Sequence, residues 1–140
     1  MQIIEVKKNI YSRKNIIDLL KKETCFIGIF SKYCGHCENM KPEWELLKKK
    51  LRKKTYNCVL LEIDSNEVNS INYTQLNNSI IGYPCIILFN KGKKIKEYEG
   101  NRTSNDMLKF LNKYLMMIKN NKKTKKVKKT YKKVKKTYKK

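Results

Sequence analysis

Three stretches of this chain are apolar with almost no alternation: Cys25-Phe-Ile-Gly-Ile-Phe30, Cys58-Val-Leu-Leu-Glu-Ile63 and Cys85-Ile-Ile-Leu-Phe89. A strand with one face in water alternates apolar and polar side chains, whereas a strand covered on both faces has no reason to. Runs of this kind, separated by helical patterns, need a sheet with helices on both sides, which limits the chain to an α/β layer architecture. The helical patterns are present. Ser12 is placed to cap a helix through Ile16, Ile17, Leu19 and Leu20. Met40, Trp44, Leu47 and Leu51 recur at spacings of 4, 3 and 4, one face of a second helix, with Pro42 expected to kink it. A short strand is expected over 3–6 and a short helix near 68–76. Asn90-Lys-Gly92 is a turn signal, and 95–98 returns as the partner strand of a hairpin. Thr103 and Asp106 open a closing helix whose buried face is Leu108, Leu111, Leu115 and Ile118. The order β-α-β-α-β-α-β-β-α implies parallel strands early and a hairpin late.

The 140 residues suit one domain, and the charge divides them unevenly. Residues 1–118 hold all 12 acids beside 21 basic side chains, leaving +9 of the formal +22. Residues 119–140 hold 13 lysines and no acid. A run this dense repels itself and stays solvated, so 1–118 is read as the domain and 119–140 as a disordered basic tail. Within it, 127–140 is Val-Lys-Lys-Thr-Tyr-Lys-Lys written twice, and a helix would gather Val127, Tyr131, Val134 and Tyr138 into one stripe. Lysines neutralise phosphates and aromatics stack on bases, so the tail is either a tether to nucleic acid or another polyanion, or a solubilising extension. The start of the chain has no apolar core of a secretory signal, and no stretch approaches the roughly 18–20 apolar residues of a membrane span. The expectation is a cytoplasmic protein. Usage rich in Lys, Asn and Ile, with 31 Lys against 3 Arg, fits an AT-rich genome such as those of some protists and large DNA viruses. Were the gene viral, the virion would be a second location.

Chemistry concentrates at Cys34-Gly35-His36-Cys37, directly after the first buried run. In a reducing compartment a close pair is more often catalytic or metal-binding than structural. Opening a helix, the first thiol meets free backbone amides and the positive end of the dipole, both of which stabilise a thiolate. The second lies one turn on, within reach of a mixed disulfide formed by the first. Cys34 is therefore the candidate nucleophile and Cys37 the resolving thiol, forming the redox-active disulfide, with His36 as a protonatable donor between them. Zinc needs about four ligands, and the remaining cysteines are scattered. No cofactor and no metal are expected. A metal module using Cys34, Cys37 and Cys85 stays open as a competing reading.

With these residues in view, the chain resembles the thioredoxin superfamily, and most closely a protein disulfide isomerase catalytic domain. Cys34-Gly-His-Cys37, Lys41-Pro-Glu-Trp-Glu45, Gly82-Tyr-Pro84 and Tyr98-Glu-Gly-Asn-Arg-Thr103 match in order and separation over roughly 1–118. The resemblance implies a thioredoxin fold, a central mixed sheet flanked by helices, and disulfide exchange with protein thiols. It makes Pro84 the cis proline opposite the cysteines, with Tyr83 offering its backbone to a substrate strand and Tyr33 an aromatic approach. It makes Arg102 the arginine that lowers the second thiol's pKa, and Pro42 structural.

Departures accompany the match. Where the family carries a buried acid as proton acceptor for the second thiol, this chain has Gly28, and no substitute is apparent from the sequence. Lys32 adds positive charge before Cys34. Cys85 follows Pro84, where the family usually has Thr, and is either a small strand residue or a third exchanging thiol. Cys25 and Cys58 each begin a strand and are read as inert core thiols; the resemblance implies that these strands are neighbours, which leaves a pairing between them as the alternative. The function read from the sequence is thiol–disulfide oxidoreductase of isomerase-like character. The alternative is a polyanion-tethered structural or binding protein on the same scaffold with minor redox activity.

Overall fold

The computed structural model describes residues 1–137. Residues 1–108 form one compact unit, and the chain from Lys109 forms a second. The first opens with β1 (Gln2–Val6), α1 (Arg13–Lys22), β2 (Thr24–Phe30), α2 (Gly35–Arg52) and β3 (Val59–Asp64). A 3-10 turn (Ser65–Glu67) leads into two short helices, α3 (Val68–Ile71) and α4 (Thr74–Asn77). Then come β4 (Cys85–Asn90), β5 (Lys93–Glu97) and the start of α5 (Ser104–Thr137). The five strands lie in the order β1-β3-β2-β4-β5. β1, β3 and β2 pair in parallel, and β4 and β5 add antiparallel.

The reason for the unalternating runs is visible in this order. β2 is the middle strand, bonded to β3 on one side and β4 on the other, and its two faces go to different helices. Cys25, Ile27 and Ile29 join Leu61, Ile63, Ile87 and Phe89 in a core closed by Ile16 and Leu20 of α1 and by Val68 and Ile71. Phe26 and Phe30 point to the other face and meet Trp44 of α2, with ring centroids 6.2 and 5.0 Å apart. Met40, Leu47 and Leu51 are buried on the same stripe of α2, as their spacing requires.

Local signals set the boundaries. Ser12 accepts the Asn15 amide at 3.4 Å and caps α1. Thr103 accepts the Asp106 amide at 3.2 Å at the start of α5. The β4–β5 turn puts Lys91 at φ 49° and Gly92 at φ 86°. Tyr73 donates its hydroxyl to the Gly92 carbonyl at 3.1 Å, and a Cβ at residue 92 would lie 2.8 Å from that hydroxyl. Positive φ and this close approach together favour glycine.

From Lys109 onward the backbone is helical to Thr137, and every side chain from 119 to 133 is exposed. Val127 and Tyr131 of the tail stripe are among them. Tyr138 and the side chain of Val134 lie outside the described residues. Among the described residues no helix is long and apolar enough to cross a membrane.

Gly28 sits where β2 passes beneath α2. A Cβ there would lie 2.5 Å from Trp44 Cη2 and 2.8 Å from Phe30 Cε2. Overpacking of this kind costs about 1–3 kcal/mol. Restricting the unfolded chain by a Gly-to-Ala change returns only about 0.4–1 kcal/mol. Gly28→Ala should therefore destabilise the domain in urea denaturation followed by circular dichroism. Adding Trp44→Phe, which shortens the ring, should make the double variant more stable than the two single costs predict.

Candidate active site

The site grows out of the carboxyl end of β2. Four residues after the strand, Cys34 caps the 18-residue α2 in an extended conformation (φ −109°, ψ 114°). Its Sγ accepts the Cys37 amide at 3.3 Å, and its carbonyl accepts the Glu38 amide at 3.1 Å. Cys34 is thus a side-chain cap made by sulfur, and the role that serine or aspartate plays at other helices falls here to a nucleophile. Hydrogen bonds from the Cys37 side chain and amide hold the Cys34 thiol below the ordinary range. The His36 amide and the charge of Arg102 act in the same direction.

Cys37 is the opposite case. It lies one turn into the helix and is 5% exposed. Burial pushes its thiol up to about 11, against a lowering contact from the Ser31 backbone and the Arg102 charge. One helix turn therefore presents an accessible, acidified thiol and, behind it, a buried thiol held protonated.

The loop before β4 faces Cys34. The Tyr83–Pro84 bond is cis, and the Cys34 Sγ lies 3.5 Å from the Tyr83 carbonyl, which accepts from the thiol. Pro84 is half-buried beside it. Tyr33 is 97% exposed, Ile81 is 86% exposed and Tyr83 is partly so, leaving apolar side chains in water on both segments. Arg102 is exposed, on a loop tied to α2: Glu43 accepts the Ser104 amide at 2.7 Å, and Lys50 donates to Ser104 and Asn105 at 2.9 and 2.7 Å. The structure thus brings Cys34, Cys37, the His36 amide, the Tyr83 carbonyl and the Arg102 charge to one place. The His36 imidazole and the Tyr33 ring are exposed at the same turn.

The remaining cysteines are elsewhere. Cys85 pairs in register with Ile29 and shares its core with Ile27 and Phe89, on the face of the sheet away from Trp44. Cys25 and Cys58 are buried. Burial raises Cys85 to about 11 and both Cys25 and Cys58 to about 12, so all three stay protonated at neutral pH. Cys85 as a small core residue fits this placement. Exchange with Cys34 is disfavoured by the same placement, since the Cys85 thiol is 1% exposed and held protonated.

Two residues behind Cys37 escape the sequence reading. Lys48 is 1% exposed, yet its ammonium sits 2.9 Å from Glu5, 2.8 Å from Glu45 and 3.1 Å from Glu62. Burial pulls this ammonium down, but the hydrogen bonds to Glu45 and Glu5 and the charge of Glu62 outweigh it and hold it above the lysine range. Its stabilising contribution is complete below pH 10.5 and is lost only as pH rises through that raised value. Hydrogen bonds from Lys48 and Lys7 hold Glu5 below 4.5, so its contribution is present above pH 4.5 and fades as pH falls through the lowered value. Glu62 also accepts Trp44 Nε1 at 2.6 Å. A lysine on the apolar stripe of a helix, and a glutamate inside an apolar strand, were the signals available for this cluster. Cys37, Trp44 and Glu62 line one cleft of about 680 Å³.

The family model that matches is described as Thioredoxin and covers residues 4–113. Human protein disulfide-isomerase A6 is 30% identical over 95 residues, 68% of this chain and 21% of that protein. Bloodstream-specific protein 2 of Trypanosoma brucei brucei is 33% identical over 93 residues, 66% of this chain and 18% of that protein. The chain thus spans about a fifth of the length of these relatives. The first two thioredoxin domains of Saccharomyces cerevisiae Eps1p superpose with a TM-score of 0.64 at 25% identity, over 76% of this chain and 40% of theirs.

The thiol contrast is directly measurable. Brief iodoacetamide treatment of the reduced native protein at pH 7, read by peptide mass spectrometry, should label Cys34 and spare the other four cysteines. Arg102→Gln should move the pH midpoint of Cys34 labelling upward, because it removes a charge that favours the thiolate.

Proposed function

From the premise that this chain belongs to the thioredoxin family, we propose that it is a thiol–disulfide oxidoreductase acting on protein thiols and disulfides through Cys34 and Cys37. The observation that carries the proposal is the helix-capping Cys34 sulfur, with a carbonyl at 3.5 Å on one side and the buried Cys37 behind it. The accessible thiolate attacks a substrate disulfide, the substrate's outer sulfur leaves as a thiol, and a mixed disulfide remains on Cys34. Cys37 then loses its proton and attacks the Cys34 sulfur. The Cys34–Cys37 disulfide forms and the substrate departs as a thiol. The reverse sequence oxidises a substrate dithiol. Tyr83 and Pro84 form the wall against which a substrate strand lies, with Tyr33 and Ile81 as its apolar flanks. Arg102 favours both thiolates by its charge.

An isomerase-like balance is the finer part of the proposal. Stabilising the Cys34 thiolate stabilises the reduced form, which raises the potential of the pair. Together with His36 in the tetrad, this points to about −180 mV rather than the thioredoxin value of about −270 mV, a difference of roughly 4 kcal/mol for two electrons.

The exposed lysines after residue 118 support a second element: a polyanion contact that localises the redox unit without entering its chemistry.

Turnover of insulin with dithiothreitol should be catalysed by the full chain and abolished by Cys34→Ser. Cys37→Ser should accumulate substrates disulfide-linked to Cys34, visible on non-reducing gels. Insulin reduction at the uncatalysed rate would remove the enzyme assignment, and a potential below about −250 mV would remove its isomerase-like part. Ending the chain at residue 118 should leave insulin reduction unchanged and lower the salt needed for elution from heparin. Equal elution would remove the polyanion contact.

A further inference from the structure

A thiol held protonated at neutral pH needs a base before it can attack, and position 28, beneath α2, carries no side chain to supply one. The strand next door does. Gly28 of β2 and Glu62 of β3 are register partners, so Glu62 stands beside the vacant position on the same face of the sheet. The absence of a side chain at 28 lets the Trp44 ring settle onto β2, and the indole N–H at the ring's edge donates to Glu62 Oε1. Trp44 lies seven residues after Cys37, two turns along one helix face, and helical side chains lean toward the N-terminus. The ring therefore extends from Glu62 back toward the cysteine, and all three residues line the same cleft.

We propose that Glu62 accepts the proton of Cys37, through water in this shared cleft, when Cys37 resolves a mixed disulfide. The assignment rests on the oxidoreductase reading above. Three features fit Glu62 to the task. Among the described residues its recorded bonds, from Trp44 and Lys48, both fall on Oε1, which leaves Oε2 for a proton. Its side chain is 17% exposed, against 39% for Glu5 and 50% for Glu45, so it is the most enclosed carboxylate of the Lys48 cluster. When it takes a proton, Lys48 keeps Glu5 and Glu45 as partners and is not stranded as a buried charge. The step balances. The Cys37 proton passes to the carboxylate, the thiolate displaces the substrate sulfur from Cys34, the leaving thiolate takes a proton from water, and Glu62 returns its own to solvent.

Reduced full-length protein mixed with glutathione disulfide and quenched in acid at intervals separates the two steps by mass: glutathione on Cys34 appears, then the Cys34–Cys37 disulfide. The charged groups around Glu62 and its cleft are Lys48, Glu45, Lys41 and Glu38 on α2, Lys32 in the loop before that helix, Glu5 on β1 with Lys7 and Lys8 just after it, and Asp64 at the end of β3 with Glu67 beyond it. Glu62→Gln leaves all of them in place and keeps an oxygen for Trp44. This variant should acquire glutathione at the wild-type rate and resolve it at least about tenfold more slowly at pH 7. Its resolution rate should climb about tenfold per pH unit, as hydroxide alone deprotonates the thiol, whereas the wild-type rate flattens through the neutral range. Glu62→Asp should recover part of the rate, which loss of a merely structural contact would not predict. Resolution by Glu62→Gln at the wild-type rate overturns the proposal. So does a wild-type rate that itself climbs tenfold per unit, a result that needs no variant to fold. Wild-type protein that never acquires glutathione removes the oxidoreductase reading, and this proposal with it.

Discussion

The reactive end of this molecule depends on β2 being held from four directions. β3 and β4 fix it in the plane of the sheet, and the α1 core and α2 cover its faces. A strand so constrained has little freedom in where its last residue points, and the chain turns within four residues into α2. Cys34 therefore reaches the helix terminus from a rigid support, which is the arrangement that keeps a nucleophile in a fixed position. The cis-Pro84 loop is anchored the same way, since β4, which follows it at once, is the other neighbour of β2. Two segments far apart in sequence meet at Cys34 because their supporting strands, β2 and β4, are direct neighbours in the sheet.

From that support the two thiols diverge for reasons belonging to one helix. At the cap, free amides and the dipole favour negative charge, and the effect fades within the first turn. Cys37, the third residue of the helix, has its side chain turned inward, where burial is the largest influence on its thiol and the neighbouring Cys34 raises it further. The acidity difference that separates attack from resolution thus comes largely from the two thiols acting on each other: the Cys37 side chain and amide lower Cys34, while burial and the neighbouring Cys34 keep Cys37 protonated. It follows from spacing two cysteines by one turn across a helix start, one outside and one beneath. Arg102 favours both thiolates at once, so it alters how fast the pair works more than which member leads.

Much of this was legible in the residues. Unalternating runs mark strands buried on both faces, the 4-3-4 spacing marks α2, and Ser12 and Thr103 mark helix starts by chemistry that is local. The same holds for Cys34 and Cys37, whose roles follow from adjacency to a strand end and a helix start. Lys48 and Glu62 were not legible, because a charged residue in an apolar pattern reads as noise until its partners are known. Those partners come from β1, α2 and β3, segments that only the folded topology brings together. Register across neighbouring strands is invisible along the chain, and the relation of Gly28 to Glu62 is a matter of register alone.

That relation changes what the glycine means. Read along the sequence, position 28 is a loss: a strand residue that contributes nothing to the chemistry above it. In the folded chain the same position is where Trp44 rests, and no other residue type leaves room for the ring. The ring fixes a carboxylate one strand over, and the carboxylate needs a counter-charge that Lys48 supplies from within the core. Burying a lysine is costly unless it is paired. Here it has three acids, two of them at the rim where water shares the load. The four residues form one dependent set, in which the smallest decides where the largest can sit and the largest decides where the acid is held. A side chain at 28 would displace the ring and with it the acid, so acid function cannot be placed at position 28 by a single replacement while Trp44 remains.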